Sequence, residues 1–280
     1  MTIVESTIEG PAEVDRLARM LSLTGQEARR SARHPVLWLV PAATAATAIV
    51  EAPGVARPTQ FWYLNIFLMV SLLAPVVAIF VANMVASGAR RARAEEVLSV
   101  APAPDTERTL ALCLGVALTL GSIGVGGVVV MSLIAAIGQA NGQLDTSSIQ
   151  TAGELAQIPP ILVGAGLLGV LTARWLRFPG AALVTFVVFV VVGGIVFKSI
   201  GIETGTRWFW WSTSTPMGEF LYEGPELAGD PWWHAAYLVG LCACATVASV
   251  YRDRGQWAKL VGVGLPVAAA TVAVGLLQLP

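Results

Sequence analysis

Apolar runs as long as a bilayer is thick recur along this chain, and they constrain its fold before any motif does. A hydrocarbon core needs about 20 consecutive apolar residues per helix. Candidate spans run over 35–52, 61–86, 109–137, 156–173, 178–197, 232–250 and 260–278. The expected fold is therefore all-α: a polytopic membrane helix bundle of about seven transmembrane helices, or six if the last run is peripheral. Composition agrees, with 55% hydrophobic and only 12% charged residues, where soluble domains carry about a quarter charged. A net charge of -1 gives no basis for a nucleic-acid partner. Cys113, Cys242 and Cys244 are an odd set inside apolar runs, which suits packing rather than a disulfide framework. The first 34 residues hold five Arg and five acidic residues and no long apolar core, so no signal peptide is expected.

Orientation follows from the basic residues, which concentrate on the cytoplasmic side of membrane proteins. Arg16, Arg19, Arg29, Arg30 and Arg33 precede span one, and Arg90, Arg91, Arg93 and Arg108 follow span two. Arg174 and Arg177 follow span four; Arg252, Arg254 and Lys259 follow span six. These alternate segments collect 14 of the 17 basic residues, leaving Arg57, Lys198 and Arg207 for the other side. The chain reads as an inner (plasma) membrane protein with a cytoplasmic N terminus and, with seven spans, an extracytoplasmic C terminus. The outer loop, about 198–231, carries Glu203, Glu219, Glu223, Glu226 and Asp230 beside Trp208, Phe209, Trp210 and Trp211. Such aromatics sit at headgroup level, so this loop is expected to lie on or dip into the outer leaflet.

Ahead of span one, Val14, Leu17, Met20 and Leu21 recur at helical spacing among Glu13, Asp15, Arg16 and Arg19. A second piece, 26–34, carries Arg29, Arg30 and Arg33 just before Pro35. Residues 1–34 thus read as a cytoplasmic segment with an interfacial amphipathic helix, or as a plain basic anchor. Inside the spans, charged chemistry is missing. The runs 61–86, 109–137, 156–173, 178–197 and 260–278 contain no Asp, Glu, Lys, Arg or His, although ionisable groups mark proton relays and intramembrane catalysis. Glu51 and His234 fall at outer span ends, where interfacial roles are usual. No catalytic group, cofactor site or metal site is expected. No G-x-x-x-x-G-K-[ST] phosphate loop occurs either, so any ATP that drives the protein must bind another polypeptide.

The most informative loop, within 89–114, reads ARRARAEEVLSVAPAPDTERTLALCL. A basic helical extension of span two meets Glu95, Glu96, Val97 and Leu98, then a Pro102-x-Pro104 break, then Asp105, Glu107 and Arg108. Prolines stop the helix, and exposed charges give a docked contact its register. This loop, RRSARHPVLW before span one, ARWLRFPGAAL at 173–183, and the pattern of His234, Tyr237, Leu238, Gly240 and Leu241 resemble the ABC-2-type exporter permeases. The resemblance covers most of the chain; the common family plan has six spans where this chain reads as seven.

That resemblance implies a permease domain over 35–280 that moves an amphiphilic substrate, such as a drug, peptide or lipid, outward. ATP and Mg would be bound by a separate ABC ATP-binding subunit, in two copies, and the permease would pair with an identical or related second permease in membrane lipid. A coupling loop, about 89–108, would receive motion from the ATPase through Arg91, Arg93, Glu95, Glu96, Leu98, Pro102, Pro104 and Arg108. Trp208, Trp210 and Trp211 would belong to a short re-entrant outer segment. Asn65, Ser71 and Asn83 are the sparse polar points of span two, as path-lining residues or as interhelical hydrogen-bond partners. Two rival readings are an ATP-independent secondary transporter and a non-transport scaffold or immunity factor.

The topology is open to direct measurement. In a background without native cysteines, cysteines introduced at positions 145 and 215 should react with an impermeant thiol reagent from outside intact cells. Those at 94 and 255 should react only after the cells are opened. Labelling of position 94 in intact cells would reverse the orientation.

Overall fold

The computed structural model describes residues 11–51, 66, 70, 73–88, 104–142, 150–176, 178, 180–187, 230–252 and 254–277. Among these residues the regular elements are helical. They are α1 (Pro11–Ala32), a 3-10 turn (Pro35–Trp38), α2 (Leu39–Glu51), α3 (Ala74–Ala86), α4 (Asp105–Ala140), the single-turn α5 (Ala152–Leu155), α6 (Ile158–Trp175), α7 (Pro231–Val250), a second 3-10 turn (Arg254–Gln256) and α8 (Trp257–Leu277). Among the described residues, four stretches are long and apolar enough to cross a membrane: Asp105–Ala140, Ala152–Trp175, Pro231–Val250 and Trp257–Leu277. They fall on the third, fourth, sixth and seventh apolar runs. Shorter apolar helices, Pro35–Ala46 and Ala74–Ala86, fall on the first two. Of the fifth run only 178, 180–187 are described, helical over 181–187.

Local sequence explains the element ends. His34 is extended (ψ 115) because a residue before proline is pushed out of the α region, and this separates α1 from the 3-10 turn that Pro35 opens. The Trp38 indole closes the corner by donating from Nε1 to the Ala32 carbonyl at 2.6 Å. Helix α4 begins one full turn before the apolar run that announces it. Pro104 (φ -63, ψ 153) cannot extend the helix backwards, and Asp105 and Glu107 occupy the first turn, where negative charge suits the helix dipole. At 36 residues α4 is about 54 Å long, well beyond a hydrocarbon core of about 30 Å. Helix α1 is one continuous helix rather than two pieces. Gly25 is a weak helix former, but α1 is braced along α4, where the Thr119 hydroxyl donates to the Ala28 carbonyl at 3.1 Å.

The contacts set the directions. Helices α4 and α6 are antiparallel, with Gly124 against Pro159 and Gly166 against Val116 and Leu120. Helix α3 lies along α6, its Asn83 Nδ2 donating to the Gly169 carbonyl and the Thr172 hydroxyl, each at 3.2 Å. Helix α7 is parallel to α6. Gln157 Nε2 donates to the Pro231 carbonyl at 3.2 Å at one end, and Arg252 Nη1 donates to the Arg174 carbonyl at 3.0 Å at the other. Helix α8 returns antiparallel to α7, with Gly240 at Thr271 and Gly264 at Val247. Helices α6 and α7 therefore begin at the same end of the bundle and finish together at the other.

The core is built from Ile79, Val116, Ile158, Leu162 and Val170, all nearly inaccessible. Outside it, Leu118, Val125, Val129, Leu133 and Ile137 form an exposed apolar stripe on α4, and Val261, Leu265, Val272 and Leu276 are exposed on α8. Contiguous apolar surface of this kind marks a partner or a membrane rather than water. Inside, small residues let backbones approach, as membrane helices commonly do. A Cβ on Gly169 would collide with the Ile79 carbonyl oxygen and sit 3.1 Å from the Asn83 nitrogen.

Gly169→Ala should therefore separate α3 from α6 and cost about 1–3 kcal/mol. At Gly262 a Cβ meets nothing within 4 Å, so Gly262→Ala should be neutral or stabilise by up to about 1 kcal/mol through helix propensity. Thermal unfolding in detergent micelles would show the two midpoints moving in opposite directions or only the first falling.

Candidate functional site

Polar chemistry gathers at the end of the bundle where α4 begins and α6 and α7 finish. Asp105 lies at the first position of α4. Its Oδ1 accepts from Arg174 Nη1 at 3.3 Å and its Oδ2 from Arg252 Nη2 at 3.1 Å. Arg108, one turn along α4, brings Nη2 to 3.8 Å of the same carboxylate. Arg174 comes from the last turn of α6, and Arg252 follows α7. The pairing is reinforced by the Arg252 bond to the Arg174 carbonyl and by Trp175 Nε1, which donates to the Ala248 carbonyl at 2.9 Å. One carboxylate thus ties the ends of three helices.

A second pairing adds α1. Glu107 is almost buried, with 8% of its side chain exposed, and its Oε1 accepts from Arg16 Nε at 2.6 Å while Arg19 stands 4.0 Å from Oε2. From there α1 runs parallel to α4. A Cβ on Gly115 would lie 2.8 Å from both the Ala28 nitrogen and the Glu27 Cβ, so glycine permits this close approach. Burial pushes the Glu27 carboxyl above its ordinary value, and the charges of Arg30 and Arg174 only partly oppose that rise. Two carboxylates, Asp105 and Glu107, face five guanidinium groups, those of Arg16, Arg19, Arg108, Arg174 and Arg252. Among the described residues, the arginines that meet Asp105 and Glu107 outnumber these two acids, which hold them together against their mutual repulsion.

The residues singled out in the sequence fare unequally. Pro104 and Arg108 stand at this hub, Pro104 as the extended residue that starts α4 and Arg108 on Asp105. Arg91, Arg93, Glu95, Glu96, Leu98 and Pro102 lie outside the described residues, as do Asn65, Ser71, Trp208, Trp210 and Trp211. Asn83 is buried in the α3–α6 contact with its amide satisfied there, the interhelical position of its two readings. His234 lies in the first turn of α7, at the end of the span, and is buried beside the Tyr237 ring, centroids 6.0 Å apart. Missed altogether were Asp105 and Glu107 as acceptors and Arg16, Arg174 and Arg252 as their partners. The available signal was that these arginines were assigned to one side of the membrane; nothing in their spacing announced the pairs. Comparison with known protein families, with curated proteins and with solved structures finds no match for this chain.

Removing the shared carboxylate should cost more than removing one of its partners. Asp105→Asn leaves three guanidinium groups facing a neutral amide. The expected loss is about 2 kcal/mol, below the ~3–5 kcal/mol of a fully buried broken pair because Asp105 is 39% exposed. A double-mutant cycle with Arg252→Gln should give a coupling energy above about 0.5 kcal/mol. Glu27 predicts a pH dependence of definite sign. Its folded pKa is raised, so its contribution is fully present below the ordinary carboxylate range and is lost as pH rises through the folded value. Glu27→Gln should accordingly melt above the wild type at neutral pH, with the two curves converging in acid.

Proposed function

We propose that this chain is the transmembrane permease subunit of an ATP-driven exporter, working with a separate ATP-binding subunit and a second permease copy or relative. The observation that carries the reading is the ion-paired hub. The segment between α3 and α4, in which the resemblance places the coupling loop, rejoins the bundle at Pro104 and Asp105. At that point Asp105 engages α6 and α7 through Arg174 and Arg252, and Glu107 engages α1 through Arg16. A push on the loop would be delivered to four helices together, not absorbed in a flexible joint. From α6 it would pass to α3 through the Gly169 contact and the Asn83 hydrogen bonds. Packed helices joined this way move as a body, which is what alternation between inward- and outward-facing arrangements requires.

Charge supports the same assignment. The hub is basic, as cytoplasmic ends are, and the loop offers Glu95 and Glu96 beside Arg90, Arg91 and Arg93 as a charged docking surface. ATP and Mg belong on the partner, since this chain carries no phosphate loop. The apolar interior suits an amphiphilic cargo moved outward across the plasma membrane.

Two variants separate docking from transmission. Glu95→Lys with Glu96→Lys should detach the ATPase, because like charge at a docked surface can cost several kcal/mol, a few powers of ten in affinity. Asp105→Asn should keep the ATPase bound but lose most substrate-stimulated hydrolysis. Copurification from native membranes in mild detergent, followed by ATPase assay, reads both. Wild-type protein that brings down no ATPase, or a well-folded Glu95→Lys/Glu96→Lys variant that retains ATPase and stimulation, would sink the proposal.

A further inference from the structure

A groove of about 650 Å³ opens between the end of α1, the start of α2 and the flank of α4, a size usual for small-molecule sites. Its walls are apolar along 118–130 of α4, from Leu118 past Gly126 to Val130, with Val40 and Ala45 of α2 opposite and Leu162 of α6 behind. Leu118, Val130 and Trp38 on its rim are 58%, 45% and 48% exposed, so the groove opens sideways from the bundle.

Three observations say what should fill it. The first is length. The bond from Thr119 to the Ala28 carbonyl sets the basic end of α1 beside the upper end of the groove. Helix α4 carries no charged residue from 109 to its end at 140, so the groove runs beside uncharged helix throughout. The lining stretch 118–130 is about 18 Å long, enough for an acyl chain to lie along. The second is charge at the mouth. Arg29 lines the groove beside Trp38, and Arg30 and Arg33 follow it in sequence, whereas the walls below are uncharged. The third is an unmet polar group. The Thr44 hydroxyl lines the groove and lacks a hydrogen-bond partner, although the residue is only 7% exposed. A hydroxyl left so is costly, and an ester or hydroxyl oxygen of a bound amphiphile would satisfy it.

From these we infer that the groove holds one chain of an anionic phospholipid-type amphiphile drawn from the surrounding bilayer. The acyl chain lies along α4, the backbone oxygens meet Thr44, and the negative headgroup meets Arg29 at the level of Trp38. A cationic peptide would be repelled at the mouth, and a neutral compact drug would leave the basic rim unused. The inference rests on the membrane reading of the helices and not on an ATPase partner.

The test uses the full chain in phosphatidylcholine vesicles doped with phosphatidylglycerol carrying a photoactivatable diazirine in its acyl chain, with the matching phosphatidylcholine probe as control. Cross-links located by mass spectrometry should concentrate in 40–45 and 118–130 and be stronger for the anionic probe. Excess unlabelled phosphatidylglycerol should compete with them. Arg29→Gln should weaken this labelling about fivefold, as one basic residue near an anionic headgroup is worth about 1 kcal/mol. Gly126→Phe should abolish it by filling the groove, since a Cβ there meets nothing within 4 Å. Labelling spread evenly around the bundle, or indifferent to headgroup charge and to a folded Gly126→Phe, would overturn the groove assignment and leave the membrane reading standing. A protein that stays in aqueous solution without detergent and takes no label from either probe would overturn both.

Discussion

The carboxylate of Asp105 accepts from Arg174 and Arg252 at 3.3 and 3.1 Å, and the arrangement of this bundle depends on that shared acceptor. Three arginines on one acid repel one another, and the shared carboxylate is what holds them together. Each partner comes from a different place: α4 itself, the end of α6 and the second residue past α7. Asp105 keeps 39% of its side chain exposed although Arg174 and Arg252 are largely buried, so the pairs retain some water. The desolvation cost that makes fully buried pairs break even is therefore reduced.

Below the hub, a different physics holds the helices. Apolar attraction offers little between helices when the solvent is itself hydrocarbon, and close backbone approach takes over. Gly115 admits α1 to α4, Gly124 admits Pro159, and Gly169 admits the Ile79 carbonyl. Hydrogen bonds then fix the register, as Asn83 does with Gly169 and Thr172, and Gln157 with Pro231. Ionic register at one end and small-residue contacts along the spans leave the outer faces of α4 and α8 apolar and exposed.

This division bears on the proposed transport role. A device that converts a cytoplasmic push into rearranged spans needs a stiff connection at the push point. It also needs contacts along the spans that can settle in more than one packing. The hub supplies the first through bonds among α1, α4, α6 and α7. Glycine contacts suit the second, since they involve short-range fit without charge. The groove is lined by 118–130 of α4, so a lipid chain there would touch the same helix that carries Asp105, about 20 Å further along it.

The apolar runs alone announced that the elements are helices, and four of the seven runs carry long spanning helices among the described residues, because segment length against bilayer thickness is a one-dimensional property. The alternation of basic segments likewise assigned Arg16, Arg108, Arg174 and Arg252 to one side. What the linear order could not contain was which acid each arginine meets. Asp105 is 69 residues from Arg174 and 147 from Arg252, and only the antiparallel return of α6 and the parallel placement of α7 bring them within bonding distance. The extra turn of α4 was equally hidden, since Asp105, Glu107 and Arg108 look like loop until ion pairs compensate their charges. The groove exists only because α1 is braced along α4 at Thr119 and then turns away at Pro35. Side of the membrane is a sum over local charge; pairing and cavities are properties of distances that exist only after the helices have packed.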